Sequence, residues 1–114
     1  MKIEIKTKHV DGDHLVREYV ERKVQFALNR FEKRIARVAV HVEDESPASN
    51  QCGGLCRIEV ETVPRGSVFV SAHGESAFDC VLQGVRKMEQ ALKHQFDRKR
   101  SAGRSRHQKA KQAS

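Results

Sequence analysis

The chain has 114 residues, of which 38% are hydrophobic and 32% are charged, and its formal net charge is +7. This length favours a single domain with one modest core, and the composition is typical of a folded domain with a polar surface. No apolar run approaches the roughly 20 residues of a membrane-spanning helix, and the N-terminus lacks the apolar middle of a signal peptide, so we expect a cytoplasmic protein with no membrane partner.

The excess positive charge is concentrated at the C-terminus. Residues 98–114 contain seven Lys/Arg and no Asp/Glu, so residues 1–97 hold 22 − 7 = 15 basic residues against 15 acidic ones. We predict a folded domain over residues 1–100 and a basic, disordered tail over residues 101–114. Such a tail attracts polyanions without shape recognition. A merely solubilising tail is the alternative.

A strand and a long helix come first. Ile3 and Ile5 alternate with polar residues over residues 2–8, which predicts a half-buried strand. Residues 13–34 then carry apolar side chains at helical spacing, with Asp13 as the predicted N-cap. The predicted buried face consists of Val16, Val20, Val24, Ala27 and Phe31.

The two flanks of this helix differ in charge. At 100° per residue, one flank is basic and aromatic and consists of Tyr19, Lys23, Phe26, Arg30 and Lys33. The other flank is acidic and consists of Glu18, Glu21, Gln25 and Glu32. This separation of basic from acidic residues indicates that the basic flank faces an anionic partner. The alternative is that the flank is an ordinary solvent-exposed surface. We interpret Tyr19 and Phe26 as packing residues rather than as platforms on which bases stack.

Three strands with alternating apolar residues are predicted next, at residues 35–43, 55–63 and 67–73. A loop rich in Ser, Asn, Pro and Gly over residues 44–54 separates the first two, and Pro64-Arg65-Gly66 joins the last two as an antiparallel hairpin. The inward rows are Val38, Val40 and Val42, then Cys56, Ile58 and Val60, then Val68, Val70 and Ala72.

A second long helix closes the domain. Ser76 is its predicted N-cap, Asp79 suits the positive helix end, and the helix is expected to fray after Arg100. Its predicted buried face consists of Phe78, Val81, Val85, Met88, Leu92 and Phe96. Its flanks are also basic, with Arg86, Lys93 and Arg100 on one side and Lys87, His94 and Arg98 on the other.

The predicted order is therefore β-α-β-β-β-α, which is an α+β fold. Each strand has one apolar face and each helix one apolar stripe. The simplest packing places both long helices on one face of a four-stranded sheet and leaves the other face in water.

Three short matches in this order resemble the bacterial ribosome hibernation-promoting factors and ribosome-associated translation inhibitors. They are Tyr19-Val20-x-x-Lys23-Val24, Glu75-Ser76-x-Phe78, and the pairs Lys87-Met88 and Leu92-Lys93. The resemblance covers residues 1–100 and implies a short, single-domain member. It implies binding to the small ribosomal subunit and its rRNA, in the channel of messenger and transfer RNA, so that translation stops and idle ribosomes are stored.

The resemblance assigns RNA contacts by position to Lys23, Lys87 and Lys93. The helical wheel and the local charge extend this set. The candidate RNA-binding residues are Lys23, Arg30, Lys33, Arg34, Arg37, Arg86, Lys87, Lys93, His94, Arg98 and Arg100.

Catalytic and metal chemistry have weak support. The sequence has no nucleophile elbow and no phosphate-binding glycine loop, and helix capping explains Ser76 and Asp79. We interpret Cys56 and Cys80 as core thiols and Cys52 as a loop thiol. A metal site of Cys52, Cys56 and a histidine is the less favoured alternative, because the cysteine spacing is not that of a zinc knuckle.

We therefore expect a translation inhibitor that acts by occupancy, without catalysis, cofactor, metal or small-molecule substrate. A general RNA-binding module or RNA chaperone that relies on the basic tail is the alternative. A protein-interaction domain whose ligand is not RNA is a third hypothesis.

Overall fold

The computed structural model describes residues 1–10, 12–45 and 53–102, apart from the side chains of Glu45 and of residues 98–102. The elements are β1 (Lys2–Lys8), α1 (Asp13–Leu28), a 3-10 segment (Asn29–Arg34), β2 (Ile35–Glu45), β3 (Gly53–Thr62), β4 (Ser67–Gly74) and α2 (Ala77–Ala102). This order confirms the predicted α+β fold. Cys52, most of the predicted loop and residues 103–114 of the predicted tail lie outside the described residues.

The four strands form one sheet in the order β1-β2-β3-β4. β1 and β2 are parallel, with α1 as the crossover between them, whereas β2, β3 and β4 pair antiparallel. The predicted hairpin is confirmed, because the N–H of Thr62 donates to the carbonyl of Gly66 at 2.9 Å. Gly66 has φ 110°, a conformation that glycine adopts without steric cost.

The strand register aligns apolar side chains in rows across one face. One row joins Ile3, Val38, Val60 and Val68, and the next joins Ile5, Val40, Ile58 and Val70. Both helices cover this face, and the core contains buried residues of both. Full burial of a Val or Ile side chain contributes about 1.5–3 kcal/mol, so the fully buried members of these rows, Val38, Val40, Ile58 and Val60, contribute strongly to the stability of the domain. No helix within the described ranges is long and apolar enough to cross a membrane.

The long first helix differs from the prediction at both ends. Its N-cap is Gly12, which has φ 70°, and Asp13 is the first helical residue, so the assignment of Asp13 as N-cap is wrong. Asp13 instead accepts hydrogen bonds from the hydroxyl of Thr7 on β1 and from Arg17. The α-helix ends at Leu28, and the chain continues to Arg34 as a 3-10 segment. Asn29 is a poorer helix former than Leu, which favours the change there.

The second helix begins as predicted. The N–H of Asp79 donates to the Ser76 hydroxyl at 3.1 Å, which is the N-cap bond. The Asp79 carboxylate in turn accepts from the N–H of Glu75 at 2.9 Å. The first bond satisfies a backbone donor that the helix itself leaves unpaired, and the second ties the residue before the N-cap to the first turn. The helix extends to Ala102, slightly past the expected end at Arg100.

A glycine allows α2 to approach the sheet closely. A Cβ atom on Gly84 would lie 3.0 Å from the Cys56 sulfur and 3.3 Å from the Ile58 side chain. Cys56 and Cys80 are fully buried free thiols, which confirms their assignment to the core. A hydrogen bond with Cys80, together with burial, raises the pKa of the Cys56 thiol. Cys56 is therefore protonated and acts as a small apolar residue at neutral pH.

Replacement of Gly84 by Leu should push α2 away from β3. We expect Gly84→Leu to lower the free energy of unfolding by about 1–3 kcal/mol, as overpacked cores do. Chemical denaturation measures the change. Gln90→Leu adds the same side chain at an exposed position of the same helix and should change stability by less than about 0.5 kcal/mol. Equal stability of both variants would contradict the close contact.

The hydrogen bond from Thr7, and then the contact with Arg17, hold the pKa of Asp13 below its ordinary value. A carboxyl whose pKa is lowered by folding stabilises the native state above its unfolded pKa, and this contribution disappears as the pH falls through the folded pKa. We expect Thr7→Val to raise the pKa of Asp13, as measured by NMR titration of its carboxyl. Ser71→Val, on the distant strand β4, should leave that pKa unchanged. An unaltered titration in Thr7→Val would show that this bond does not form in solution.

Candidate nucleic-acid interface

The candidate interface lies where α1 and α2 run side by side. Near their N-terminal ends, the rings of Tyr19 and Phe78 meet edge to face with centroids 5.1 Å apart. Near the other end, Phe31 and Phe96 pack with centroids 5.3 Å apart. Because residues that come first along one helical segment contact residues that come first along the other, and later residues contact later ones, the two helices run parallel. Basic side chains on their facing flanks are thereby brought together.

Four of the predicted RNA-binding residues line this junction. Arg30 lies 3.4 Å from the carboxylate of Glu89 across the two helices. Lys23 lies on α1, seven residues before Arg30 of the 3-10 segment, and Arg86 and Lys93 flank Glu89 at spacings of three and four on α2. We call Lys23, Arg30, Arg86 and Lys93 the basic seam.

Aromatic rings orient several of these cations. The ammonium of Lys23 lies 5.5 Å from the centre of the Tyr19 ring, and the guanidinium of Arg30 lies 4.7 Å from that of Phe31. Arg34, just beyond the seam, lies 4.2 Å from the centre of the Phe96 ring. A cation–π contact holds a side chain in place and leaves its charge unneutralised. These cations are therefore positioned and still available to an anion.

The ion pair of Arg30 with Glu89 does not withdraw Arg30 from this role. Both side chains are partly exposed, at 55% and 38%. An exposed pair of this kind contributes about 1 kcal/mol or less. A phosphate can therefore displace Glu89 from Arg30 at small cost.

The other predicted residues lie elsewhere. Lys87 and His94 are on the opposite flank of α2, where the Lys87 ammonium donates to the Ser71 carbonyl of β4 at 3.0 Å. Lys33 is exposed in the 3-10 segment. The helix includes Arg98 and Arg100, but their side chains lie outside the described part of the chain.

Arg37 is separated from the seam by the sheet. Its neighbour Val38 points into the core, so Arg37 points to the open face. There its guanidinium lies 3.5 Å from Glu4 and 3.2 Å from Glu61. The structure therefore does not bring Arg37 together with the other candidates.

The two aromatic residues of the basic flank behave differently. Tyr19 packs against Phe78, as predicted. Phe26 is 88% exposed, so its interpretation as a packing residue is wrong. Tyr19 finds a partner on α2, whereas Phe26 lies farther round α1 on the side away from the sheet. A helical wheel places both on one flank, and the difference depends on where α2 lies.

Sequence reasoning missed two residues of this surface. Glu89 pairs with Arg30, and its spacing of three and four from Arg86 and Lys93 is a signal that could have identified it. Arg22 lies one turn before Phe26 and shares a shallow surface depression with it. Both residues could have been found by examining the positions three and four residues away from residues already singled out on the two helices.

No group of three His, Cys, Asp or Glu side chains that could hold a metal ion occurs within the described parts of the chain. Cys52, a member of the less favoured metal site, lies outside them.

Comparison with known proteins gives a family and a fold. The family model described as sigma 54 modulation protein / S30EA ribosomal protein matches residues 3–100. A solved structure of a ribosomal subunit interface protein from Coxiella burnetii has a TM-score of 0.71 at 16% identity, over 85% of this chain and 99% of that one. The Protein Y N-terminal domain from Thermus thermophilus has a TM-score of 0.66 at 18% identity, over 82% and 98%. No curated protein sequence matches.

The seam geometry predicts that Glu89 weakens anion binding. Glu89→Gln removes one negative charge and releases Arg30, and we expect it to raise affinity for single-stranded RNA a few-fold, since unit charges about 4 Å apart in water interact by about 1 kcal/mol. Fluorescence anisotropy at near-physiological salt measures this. Glu59→Gln makes the same change in net charge on the open sheet face. An equal gain in both variants would mean that net charge, and not the seam, governs binding.

Proposed function

Because this chain belongs to the family of sigma 54 modulation protein and S30EA ribosomal protein, we propose that it binds the small ribosomal subunit and inhibits translation by occupying the decoding channel. The basic seam is the proposed contact with rRNA. The observation that carries the proposal is the convergence of cations from two parallel helices on one exposed surface, within the part of the chain that the family model matches. Storage of idle ribosomes is the proposed cellular outcome, in the cytoplasm where ribosomes work.

Phosphate neutralisation is the proposed source of affinity. Each Lys or Arg that meets a phosphate releases a condensed counterion, so binding weakens as salt rises. Two helices packed side by side have axes about 8–10 Å apart, so the seam presents two roughly parallel rows of positive charge. A folded RNA surface with phosphates on both sides of a groove fits such rows better than an isolated extended strand does. This geometry favours structured rRNA as the partner.

The proposed mechanism is steric. A domain seated in the channel of messenger and transfer RNA excludes both by volume, so no bond needs to be made or broken. Cation–π contacts hold Lys23 and Arg30 in position before binding, which reduces the entropy lost on association. This proposal requires no cofactor and no small-molecule substrate.

A general RNA-binding module is the second candidate. It is favoured by the charge distribution, since four of the 22 Lys/Arg residues, Arg104, Arg106, Lys109 and Lys111, follow Ala102. Binding through such a segment would depend steeply on salt and would discriminate little between RNAs. The two candidates therefore differ in whether the seam or the C-terminal residues carry the affinity.

Co-sedimentation with purified small and large ribosomal subunits at near-physiological salt tests the proposal. We expect saturable binding of the full chain to the small subunit alone, competed by messenger and transfer RNA. Arg86→Glu/Lys93→Glu should weaken binding about tenfold or more and reduce the salt dependence by about one to two units of slope.

Two further chains complete this test. Lys6→Glu/Arg57→Glu makes the same charge change on the open sheet face and should bind nearly as well as the original chain. A chain that ends at Ala102 should keep its preference for the small subunit. If binding disappears with the C-terminal residues, or if both subunits bind equally, the general RNA-binding function replaces the proposed one.

A further inference from the structure

Phe26 is an aromatic side chain with little protein cover. It is 88% exposed, more than Phe69 at 62% or Leu15 at 55%. Burial of such a side chain contributes about 1.5–3 kcal/mol, and Phe26 contributes almost none of this to the fold. Its position on the outer side of α1 is therefore not explained by packing.

The surroundings of Phe26 are cationic and polar. A shallow depression beside the ring is lined by Arg22, Gln25, Phe26 and Asn29. Arg22 lies one turn before Phe26 on α1, and Arg30 lies four residues after Phe26, in the 3-10 segment. The lining thus combines one ring, one guanidinium and two amides, and Arg30 connects it to the basic seam.

We propose that Phe26 is a stacking platform for one unpaired nucleobase of RNA. Arg22 and Arg30 bind the phosphates on either side of that nucleotide, and the amides of Gln25 and Asn29 are placed to hydrogen-bond the edge of the base. The inference rests on the proposed function, since it assigns a single-stranded element to the same RNA surface. It adds recognition of an unpaired base to a seam that otherwise contacts phosphates.

The chemistry favours RNA over a protein partner. Aromatic rings set among Lys and Arg are the usual platform for single-stranded nucleic acid, because every base has a face that can stack. A protein-docking patch would be wider and more apolar. The other exposed large apolar residue of α1, Leu15, is eleven residues away, which is about 16 Å along a helix. One ring with the Arg22 guanidinium and two amides beside it matches one nucleotide.

Three substitutions at Phe26 in the full chain separate stacking from plain apolar contact. The probes are purified small subunits, a short single-stranded oligoadenylate and inorganic polyphosphate, which has the charge of RNA without its bases. Phe26→Ala should weaken binding to subunits and to oligoadenylate about fivefold or more, as loss of one stacked base does, and leave polyphosphate binding unchanged. Phe26→Trp should retain or increase affinity, whereas Phe26→Leu should resemble the alanine variant.

A direct signal of stacking is available because the sequence contains no tryptophan. In Phe26→Trp the single indole should be quenched by oligoadenylate and by subunits, but not by polyphosphate. Phe69→Ala removes an exposed ring from the opposite face of the sheet and should leave all affinities unchanged. Because Phe26 is exposed, its variants should unfold at the temperature of the original chain.

The outcomes separate this inference from the proposed function. If the original chain binds subunits and Phe26→Ala binds equally well, stacking is overturned and the proposed function stands. Full binding by Phe26→Leu would indicate an apolar contact with protein and would also overturn stacking. If the original chain does not bind subunits, the proposed function fails. Quenching of the indole in Phe26→Trp by oligoadenylate then decides the stacking inference by itself.

Discussion

The parallel packing of α1 against α2 on one sheet face is the constraint on which the candidate site depends. Tyr19 of α1 packs against Phe78 near the start of α2, and Phe31, in the 3-10 segment that continues α1, packs against Phe96 farther along α2. The sheet beneath them determines their separation, and Gly84 lets α2 lie close to β3. With the helices held in this way, the strips that carry Lys23 and Lys93 must face the same solvent-filled junction. The seam is therefore a consequence of core packing.

The charges of the two faces are organised differently although residues 1–97 are formally neutral. On the open sheet face, Arg37 lies between Glu4 and Glu61, so opposite charges compensate one another across strands. On the helical face, Arg30 pairs with Glu89, but Lys23 and Arg34 contact aromatic rings, which orient a cation without cancelling its charge. A neutral domain can thus present a positive surface to an anion. Net charge alone would not reveal it.

The sequence was sufficient for the fold because its two periodicities are clear. Alternation at Val38, Val40 and Val42 predicted a strand, and helical spacing at Val16, Val20 and Val24 predicted a helix. The structure confirms both, with all six side chains buried. Events that depend on single backbone conformations were not predictable, such as the left-handed Gly12 that begins α1. The 3-10 segment after Leu28 was not predictable either, because the helical spacing of apolar residues does not distinguish the tighter 3-10 turn from an α-helical turn at a helix end.

The candidate site was predictable only in part, because a helical wheel describes one helix and an interface needs two. The wheel assigned Tyr19 and Phe26 to one flank, and only the position of α2 decides that the first is packed and the second exposed. The wheel placed Lys87 and Lys93 on opposite flanks of α2, but it could not decide which flank faces α1. In the structure Lys93 lies in the seam, whereas Lys87 reaches β4.

Exposure is also what distinguishes a binding aromatic from a packing one. An aromatic side chain that meets a neighbouring helix lowers the free energy of the fold, whereas one that meets only water does not. Phe26 keeps its ring beside one guanidinium group and two amides, which complement a flat, polarisable ligand with an adjacent phosphate. The proposed recognition of RNA by this surface therefore depends on the side chain that α1 leaves exposed as much as on those that it buries.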